Sequence, residues 1–261
     1  YPSQVGGRMS RFKSFDGVDI YYQRWGHQSA QPPVVLHHGY VANARVNWVI
    51  PGIVRRFTQA GRCVIALDAR GHGRSDKPHD AAAYGESRMA RDLSCLLDEL
   101  KLAEVDLVGY SMGATVALLA ATQEPRIRRL VVGGVGGNVL QLDSHYQVEG
   151  RKALSRAMLA SRWSIRNPTL AGFRFLADMV WADRKAMAAQ ALAFHADRIP
   201  LENITVPTLI IAGDKDPFAK QPHQLQQAIR GAELSLVPGD HSSVLIRAGF
   251  QRAIVEFCGA A

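Results

Sequence analysis

The sequence predicts an α/β fold, a mostly parallel sheet flanked by helices, with a helical cap inserted between two of its strands. Three observations predict it. Short β-branched apolar runs alternate with longer stretches of helical periodicity, the rhythm of βαβ units. Several of those runs are apolar at every position, as are strands covered on both faces in a parallel sheet. From about Asn138 to Asn203 the alternation stops, and Ala, Arg, Leu and Met dominate without a strand-like run.

Taken in order, residues 1–8 form an N-terminal extension outside the expected fold, with Gly6-Gly7-Arg8 ahead of Met9. Phe12–Phe15 and Ile20–Arg24 flank Asp16-Gly17, a hairpin signal and so an antiparallel entry to the sheet. The expected parallel strands are Val34–Leu36, Val64–Leu67, Val105–Val108, Leu130–Val132, Thr208–Ile211 and Leu234–Val237. Between them, Met89, Leu93, Leu96, Leu97 and Leu100 recur at spacings of three and four, one face of a helix that starts near Ser87. Ser111–Gln123 and Gln221–Ile229 also read as helices. Residues 139–203 are the cap, broken at Asn167-Pro168 and Ile199-Pro200, because the residue before a proline is driven out of the helical region. No Ser/Gly linker borders the cap, so 9–138 and 204–261 form one core that carries it.

The 261 residues suit one large α/β domain. With 47% hydrophobic and 21% charged residues, the composition excludes a disordered or fibrous chain. A formal charge of +8 raises nucleic acid or an anionic surface as partners. The longest basic runs, Arg55-Arg56 and Arg126-Ile127-Arg128-Arg129, are too short for a basic tail. The expected partner is therefore a small-molecule ester or lactone, with neither nucleic acid nor a membrane, and the oligomeric state stays open. Cys63, Cys95 and Cys258 are far apart in apolar settings and match no metal spacing. They suggest free thiols and a reducing, cytoplasmic location, and no metal site is expected. No stretch approaches the ~18 apolar residues of a membrane span, and the N-terminus lacks an apolar signal core.

The strongest chemical signal is Gly109-Tyr110-Ser111-Met112-Gly113, which joins an expected strand directly to an expected helix. A G-x-S-x-G turn in that context lifts the serine hydroxyl out of the sheet at a helix N-terminus, and its glycines let strand and helix pass closely. A serine hydroxyl attacks only if a base takes its proton. Of nine histidines, His241 stands in the loop after the last expected strand, at the sheet edge where the Ser111 turn also lies. His27, His79, His145, His195 and His223 stand in polar, turn or helical contexts and read as solvated. The base needs a carboxylate to fix its tautomer. Asp214 and Asp216 both follow the strand Thr208–Ile211; Asp216, farther along and stiffened by Pro217, is assigned that role, and Asp214 a turn-holding one. The oxyanion needs preorganised donors, and the Met112 and Tyr40 amides are placed to supply them, with Gly39 turning the loop His37-His38-Gly39-Tyr40 inward. His38 either orients that loop, packs within it, or borders the substrate pocket.

These motifs carry a resemblance. The chain resembles the α/β-hydrolase fold superfamily, as a serine esterase-like member with a helical cap, from about Ser10 to Phe257. Four motifs stand in the family's order: His38-Gly39-Tyr40, Asp68-Ala69-Arg70-Gly71-His72-Gly73-Arg74-Ser75, the Ser111 elbow, then Asp216 before His241. The resemblance implies that Asp68, Arg70 and His72 are scaffold beside the site. Ser111 departs from the Asp that epoxide hydrolases and haloalkane dehalogenases of this fold carry at the elbow. Tyr110 and Ala114 depart from the Gly-Asn-Ser-Met-Gly-Gly elbow of the ring-cleavage C–C hydrolases.

The expected function is hydrolysis of small to medium carboxylic esters through an acyl-enzyme, with no cofactor. A lactonase, C–C bond hydrolase, perhydrolase or acyltransferase would use the same triad, and a non-catalytic small-ligand receptor is the reading from another class. In the cap, Trp163, Phe173 and Trp181 are expected to line the substrate pocket, with Phe194 and Met179 among further candidates. Arg151, Arg156, Arg162 and Arg166 are expected on a solvated face.

Overall fold

In the computed structural model, which describes residues 8–27, 29–142 and 144–259, eight strands form one sheet. They are β1 (Arg8–Lys13), β2 (Asp19–Trp25), β3 (Val34–His37), β4 (Val64–Leu67), β5 (Val105–Tyr110), β6 (Ile127–Gly133), β7 (Thr208–Gly213) and β8 (Glu233–Val237). Their order is β1-β2-β4-β3-β5-β6-β7-β8. The β1–β2 and β2–β4 pairs are antiparallel, and the other neighbours run parallel. β3, β4, β5 and β7 are buried at every residue, which is why their sequences show no alternation. Each fully buried Val, Leu or Ile in them contributes roughly 1.5–3 kcal/mol.

β1 starts at Arg8, paired with Arg24, so that residue belongs to the sheet and not to the extension expected for it; the rest of that extension, residues 1–7, lies outside the described residues. The hairpin turn is Ser14–Val18, closed by Ser14 N–H to Val18 O at 2.9 Å, with Gly17 at φ 83°.

The described residues form eight α-helices: α1 (Ile53–Gln59), α2 (Glu86–Glu99), α3 (Met112–Ala121), α4 (His145–Leu159), α5 (Pro168–Met179), α6 (Arg184–Leu192), α7 (Pro222–Ala228) and α8 (Ala248–Gly259). α3 is buried from Met112 to Ala120, as a helix apolar all round must be. It packs with α2 on one face of the sheet, and α1 and α8 cover the other. α1 and α8 lack a strong start or stop signal in the sequence, although Phe250, Ile254 and Cys258 of α8 recur every four residues and all face the core.

Between β6 and β7 lie α4, α5 and α6, and no strand occurs there among the described residues. Asn167 caps α5, its side chain accepting from Leu170 N–H, and Pro168 sits in the first turn, where its missing N–H costs nothing. The segment is tied down by Tyr40 O–H, which donates to Met187 O at 2.7 Å, and by Glu86, which accepts from His195 N–H at 2.5 Å. Arg151 is held inside, donating to Leu142 O and His195 O at 2.6 and 2.7 Å; of the four cap arginines expected on a solvated face, this one is half-buried, and Arg156, Arg162 and Arg166 are exposed. His195, expected to be solvated, is also half-buried: its Nδ1 lies 3.1 Å from Ser87 Oγ, and its Nε2 is buried without a partner among the described residues.

Cys63 and Cys258 are buried, Cys95 is partly so, and all three are free. Among the described residues no helix is long and apolar enough to cross a membrane.

Candidate active site

Parallel pairing sets His37 beside Gly109, Gly133 beside Ile211 and Gly213 beside Val237. The C-terminal ends of β3, β5, β6, β7 and β8 therefore share one edge, and every loop discussed below leaves from it.

Ser111 sits between β5 and α3 at φ 57°, ψ −118°, a region that costs a non-glycine residue of order 1–3 kcal/mol. Ser111 N–H donates to Gly133 O at 2.8 Å, and Ser111 O accepts from Ala114 N–H at 2.9 Å, so the turn is pinned from both sides. A Cβ on Gly109 would lie 2.1 Å from Gly113 O, and one on Gly113 would lie 2.2 Å from His37 O. Both glycines of the motif are thus required by backbone packed against backbone.

His241 leaves the end of β8. Its Nε2 lies 3.0 Å from Ser111 Oγ, and its Nδ1 lies 2.7 Å from Asp216 Oδ2. The Asp216 side chain is 0% exposed and that of His241 18%, so the carboxylate is sealed while the imidazole keeps an open edge. Asp216 Oδ1 accepts from Phe218 N–H at 2.8 Å. Both oxygens of the carboxylate are occupied, which fixes its plane. Asp214 faces elsewhere: its Oδ1 accepts from Gly239 N–H at 2.9 Å and ties the β7 loop to the β8 loop. Asp240 accepts from Ser242 N–H and Ser243 N–H and closes the turn around His241.

The loop after β3 approaches Ser111 from the other side. A Cβ on Gly39 would come within 3.2 Å of Ser111 Cβ, so glycine is needed there for close approach. The left-handed residue of the turn expected at Gly39 is Val41, at φ 64°. Gly39 N–H donates to Asn47 Oδ1 at 2.9 Å. Among the described residues the Tyr40 and Met112 amides have no hydrogen-bond acceptor, which leaves both free for a ligand.

His38 is corrected from pocket to scaffold. It is fully buried, its Nε2 accepts from Ala69 N–H at 2.9 Å, and its Nδ1 meets Gly39 O at 2.8 Å. His72 repeats the device, accepting from Val41 N–H at Nε2 and meeting Arg70 O at Nδ1. A ring that accepts at Nε2 must carry its proton on Nδ1, so both rings are neutral links between the β3 and β4 loops. Burial holds both below the usual histidine range and brings His37 down to about 3. Asp68 accepts from Ala44 and Arg74 N–H. Arg70 joins Asp16 of the hairpin turn to Asp92 of α2.

Two side chains beside the triad, Tyr110 and Phe218, were not assigned a role from the sequence. The Tyr110 hydroxyl donates to His241 O at 2.6 Å across 131 positions, and its ring lies 5.2 Å from the imidazole. Burial pushes its phenol well above the ordinary range, so it remains a donor. Phe218 meets the His241 ring edge-on at 4.7 Å and Phe173 at 5.7 Å; its position directly after Asp216-Pro217 was the only clue. Phe173, expected in the pocket, continues to Tyr40 at 5.9 Å, and Tyr40 to Phe194 at 5.2 Å. Trp163 and Trp181, also expected there, stand on the surface at 83% and 93% exposure, because the turns that carry them follow α4 and α5 on the outside of the cap.

The arrangement offers a nucleophile, a base held by a carboxylate, and two free amides, which is the equipment of acyl transfer. A model of the alpha/beta hydrolase fold family matches residues 32–197. The chain is 31% identical to serine hydrolase BPHL of Mus musculus, over 93% of this chain and 84% of that protein. It is 28% identical to a putative non-heme chloroperoxidase of Synechocystis sp., over 85% and 87%. Among solved structures it resembles an esterase from Exiguobacterium antarcticum, with a TM-score of 0.79 and 26% identity, covering 96% and 99% of the two chains. Sheet order, elbow and matched sequence agree, and the chain belongs to the alpha/beta hydrolase fold family.

Proposed function

We propose that the protein is a serine hydrolase of small to medium carboxylic esters that works through an acyl-enzyme. The observation that carries this reading is the continuous line Asp216–His241–Ser111, with contacts of 2.7 and 3.0 Å. Ser111 Oγ attacks the acyl carbon while His241 Nε2 accepts its proton, and Asp216 holds the imidazolium that forms. The tetrahedral oxyanion binds the Tyr40 and Met112 amides, each donor of this kind contributing roughly 2.7–4 kcal/mol. Collapse expels the alcohol, which takes the proton back from His241. Water then attacks the acyl-enzyme with His241 again as base, and the acid leaves. The relative named an esterase supports this reading, and the ring contacts among Phe218, Phe173 and Tyr40 offer an apolar wall for an acyl or alcohol group.

A second reading, perhydrolysis, is favoured by the relative named a non-heme chloroperoxidase. There hydrogen peroxide replaces water at the second step and a peracid leaves. Assays of short and medium p-nitrophenyl esters and of lactones, with and without peroxide, test both. Ser111→Ala should lose at least ~10³-fold in kcat, and equal hydrolysis by variant and wild type would refute the mechanism.

A further inference from the structure

α5 packs Phe173, Leu176 and Ala177 on the core, and its outer face is apolar too. Its arginine, Arg174, is buried and paired with Asp178, while Phe175 and Met179, one turn apart, are 59% and 63% exposed. The elements in contact with α5 continue the pattern. α5 packs against α4 and against the turn Arg162–Ser164; Leu159 at the end of α4 is 58% exposed, Trp163 in that turn 83%, and Trp181 just past α5 93%. Five of the large apolar side chains exposed among the described residues thus fall within 23 consecutive positions of one helical pair. Scattered apolar residues are normal on a surface, but a concentrated set marks an interaction site.

Charge identifies the occupant. Arg156, Arg162 and Arg166 are exposed beside this face, and none has a carboxylate partner among the described residues; the Arg162 guanidinium lies 4.5 Å over the Trp163 ring. Between residues 150 and 182 the only acidic side chain is Asp178, already paired with Arg174. A second copy seated here would add its own three arginines to the same interface with no unpaired acidic side chain from residues 150–182 to meet them, which disfavours self-association. Tryptophan and arginine with protruding Phe, Met and Leu are the side chains that lie well at a bilayer interface, rings at headgroup depth and guanidinium groups on lipid phosphate.

We propose that the outer face of the cap, Leu159, Trp163, Phe175, Met179 and Trp181 with Arg156, Arg162 and Arg166, docks the protein on an anionic lipid bilayer. The expectation of no membrane partner rested on the lack of a spanning segment and of a basic run, and neither bears on an exposed apolar face. Phe173, on the inner side of the same helix, reaches Phe218 beside His241, so one cap helix separates the docked face from the site. The surface itself does not depend on the ester reading, since its test is binding and not turnover.

The test is co-sedimentation with vesicles of phosphatidylcholine alone and of phosphatidylcholine with one quarter phosphatidylglycerol. Wild type is expected to bind the anionic vesicles at least about tenfold more tightly, less so as salt is raised. Trp163→Ala/Trp181→Ala should lose about tenfold or more on anionic vesicles. Arg156→Gln/Arg162→Gln/Arg166→Gln should abolish the preference for phosphatidylglycerol. Circular dichroism melts confirm that each variant is folded, and because all five side chains are at the surface their Tm should match wild type. Absence of binding to anionic vesicles, or binding undiminished in both folded variants, overturns the proposal. So does a wild-type dimer in size-exclusion chromatography that the tryptophan substitutions dissociate, which would give the face to a second copy.

Discussion

Replacing Asp216 by Asn exchanges one carboxylate oxygen for an NH2 group and should nearly abolish turnover, whereas the same change at Asp214, two residues away, should be almost silent. At position 216 one oxygen accepts from Phe218 N–H at 2.8 Å and the other faces His241 Nδ1 at 2.7 Å. An asparagine keeps its carbonyl on the Phe218 amide and turns its NH2 toward Nδ1. The imidazole must then accept at Nδ1, which puts its proton on Nε2, where it can no longer take one from Ser111. The wrong tautomer and the lost carboxylate together cost kcat on the order of 10⁴-fold, about 5.4 kcal/mol of barrier. Asp214 Oδ1 only accepts from Gly239 N–H, a bond an asparagine carbonyl can make, so Asp214→Asn should change kcat less than about threefold. The assay is kcat on one p-nitrophenyl ester for wild type and both variants, with Tm measured alongside. If Asp214→Asn proves the more damaged enzyme, or both lose equally at unchanged Tm, the assignment of the triad carboxylate is wrong.

Other substitutions probe the frame around the triad. Gly113→Ala would set its Cβ 2.2 Å from His37 O and 2.6 Å from His38 O; neither backbone oxygen can yield cheaply, so denaturant melts should show a loss of at least ~3 kcal/mol, at or beyond the upper end of overpacking effects. Tyr110→Phe removes the donor to His241 O and leaves the ring in place. It should lower stability by about 1 kcal/mol and reduce kcat more than KM, because it loosens the base and not the substrate pocket. Glu86 is fully buried, and burial raises its carboxyl to about 7. Its folded pKa thus exceeds the ordinary 4.5, and its contribution to stability is fully present below pH 4.5 and is lost as pH rises through 7, a change on the order of 3 kcal/mol. Glu86→Gln should remove that slope, so its stability relative to wild type must improve between pH 5 and pH 8; a constant difference across that range would show that Glu86 does not take up a proton on folding.

The core strands and the elbow were readable because their causes are local. Val105–Val108 shows its double burial in the residues themselves, and Gly109 and Gly113 are glycines for a steric reason that any strand–turn–helix of this sharpness imposes. Asn47, which holds Gly39 beside Ser111, showed no signal, since its partner lies eight residues away in a loop and its type is unremarkable. Trp163 and Trp181 misled because a large apolar side chain in a cap fits a pocket and an outer face equally well. Arg8 was set outside the fold because a lone basic residue at a glycine-rich end has no periodicity to place it in a strand.

What the sequence by itself determined is the fold class, and it singled out Ser111 as the candidate nucleophile with His241 and Asp216 as its assigned partners, because apolar periodicity and glycine spacing act over a few residues and survive without tertiary information. The tertiary structure alone decided the rest. It supplied the contacts behind that assignment, with Asp216 aimed at His241 and Asp214 at Gly239, turned His38 and His72 into neutral struts between two loops, and brought Tyr110 to the carbonyl of His241. It also turned Trp163 and Trp181 outward. Each of these depends on contacts between segments from about 25 to more than 100 residues apart, or on which side of a helix faces water, and such distances exist only once the sheet has brought its loops to one edge.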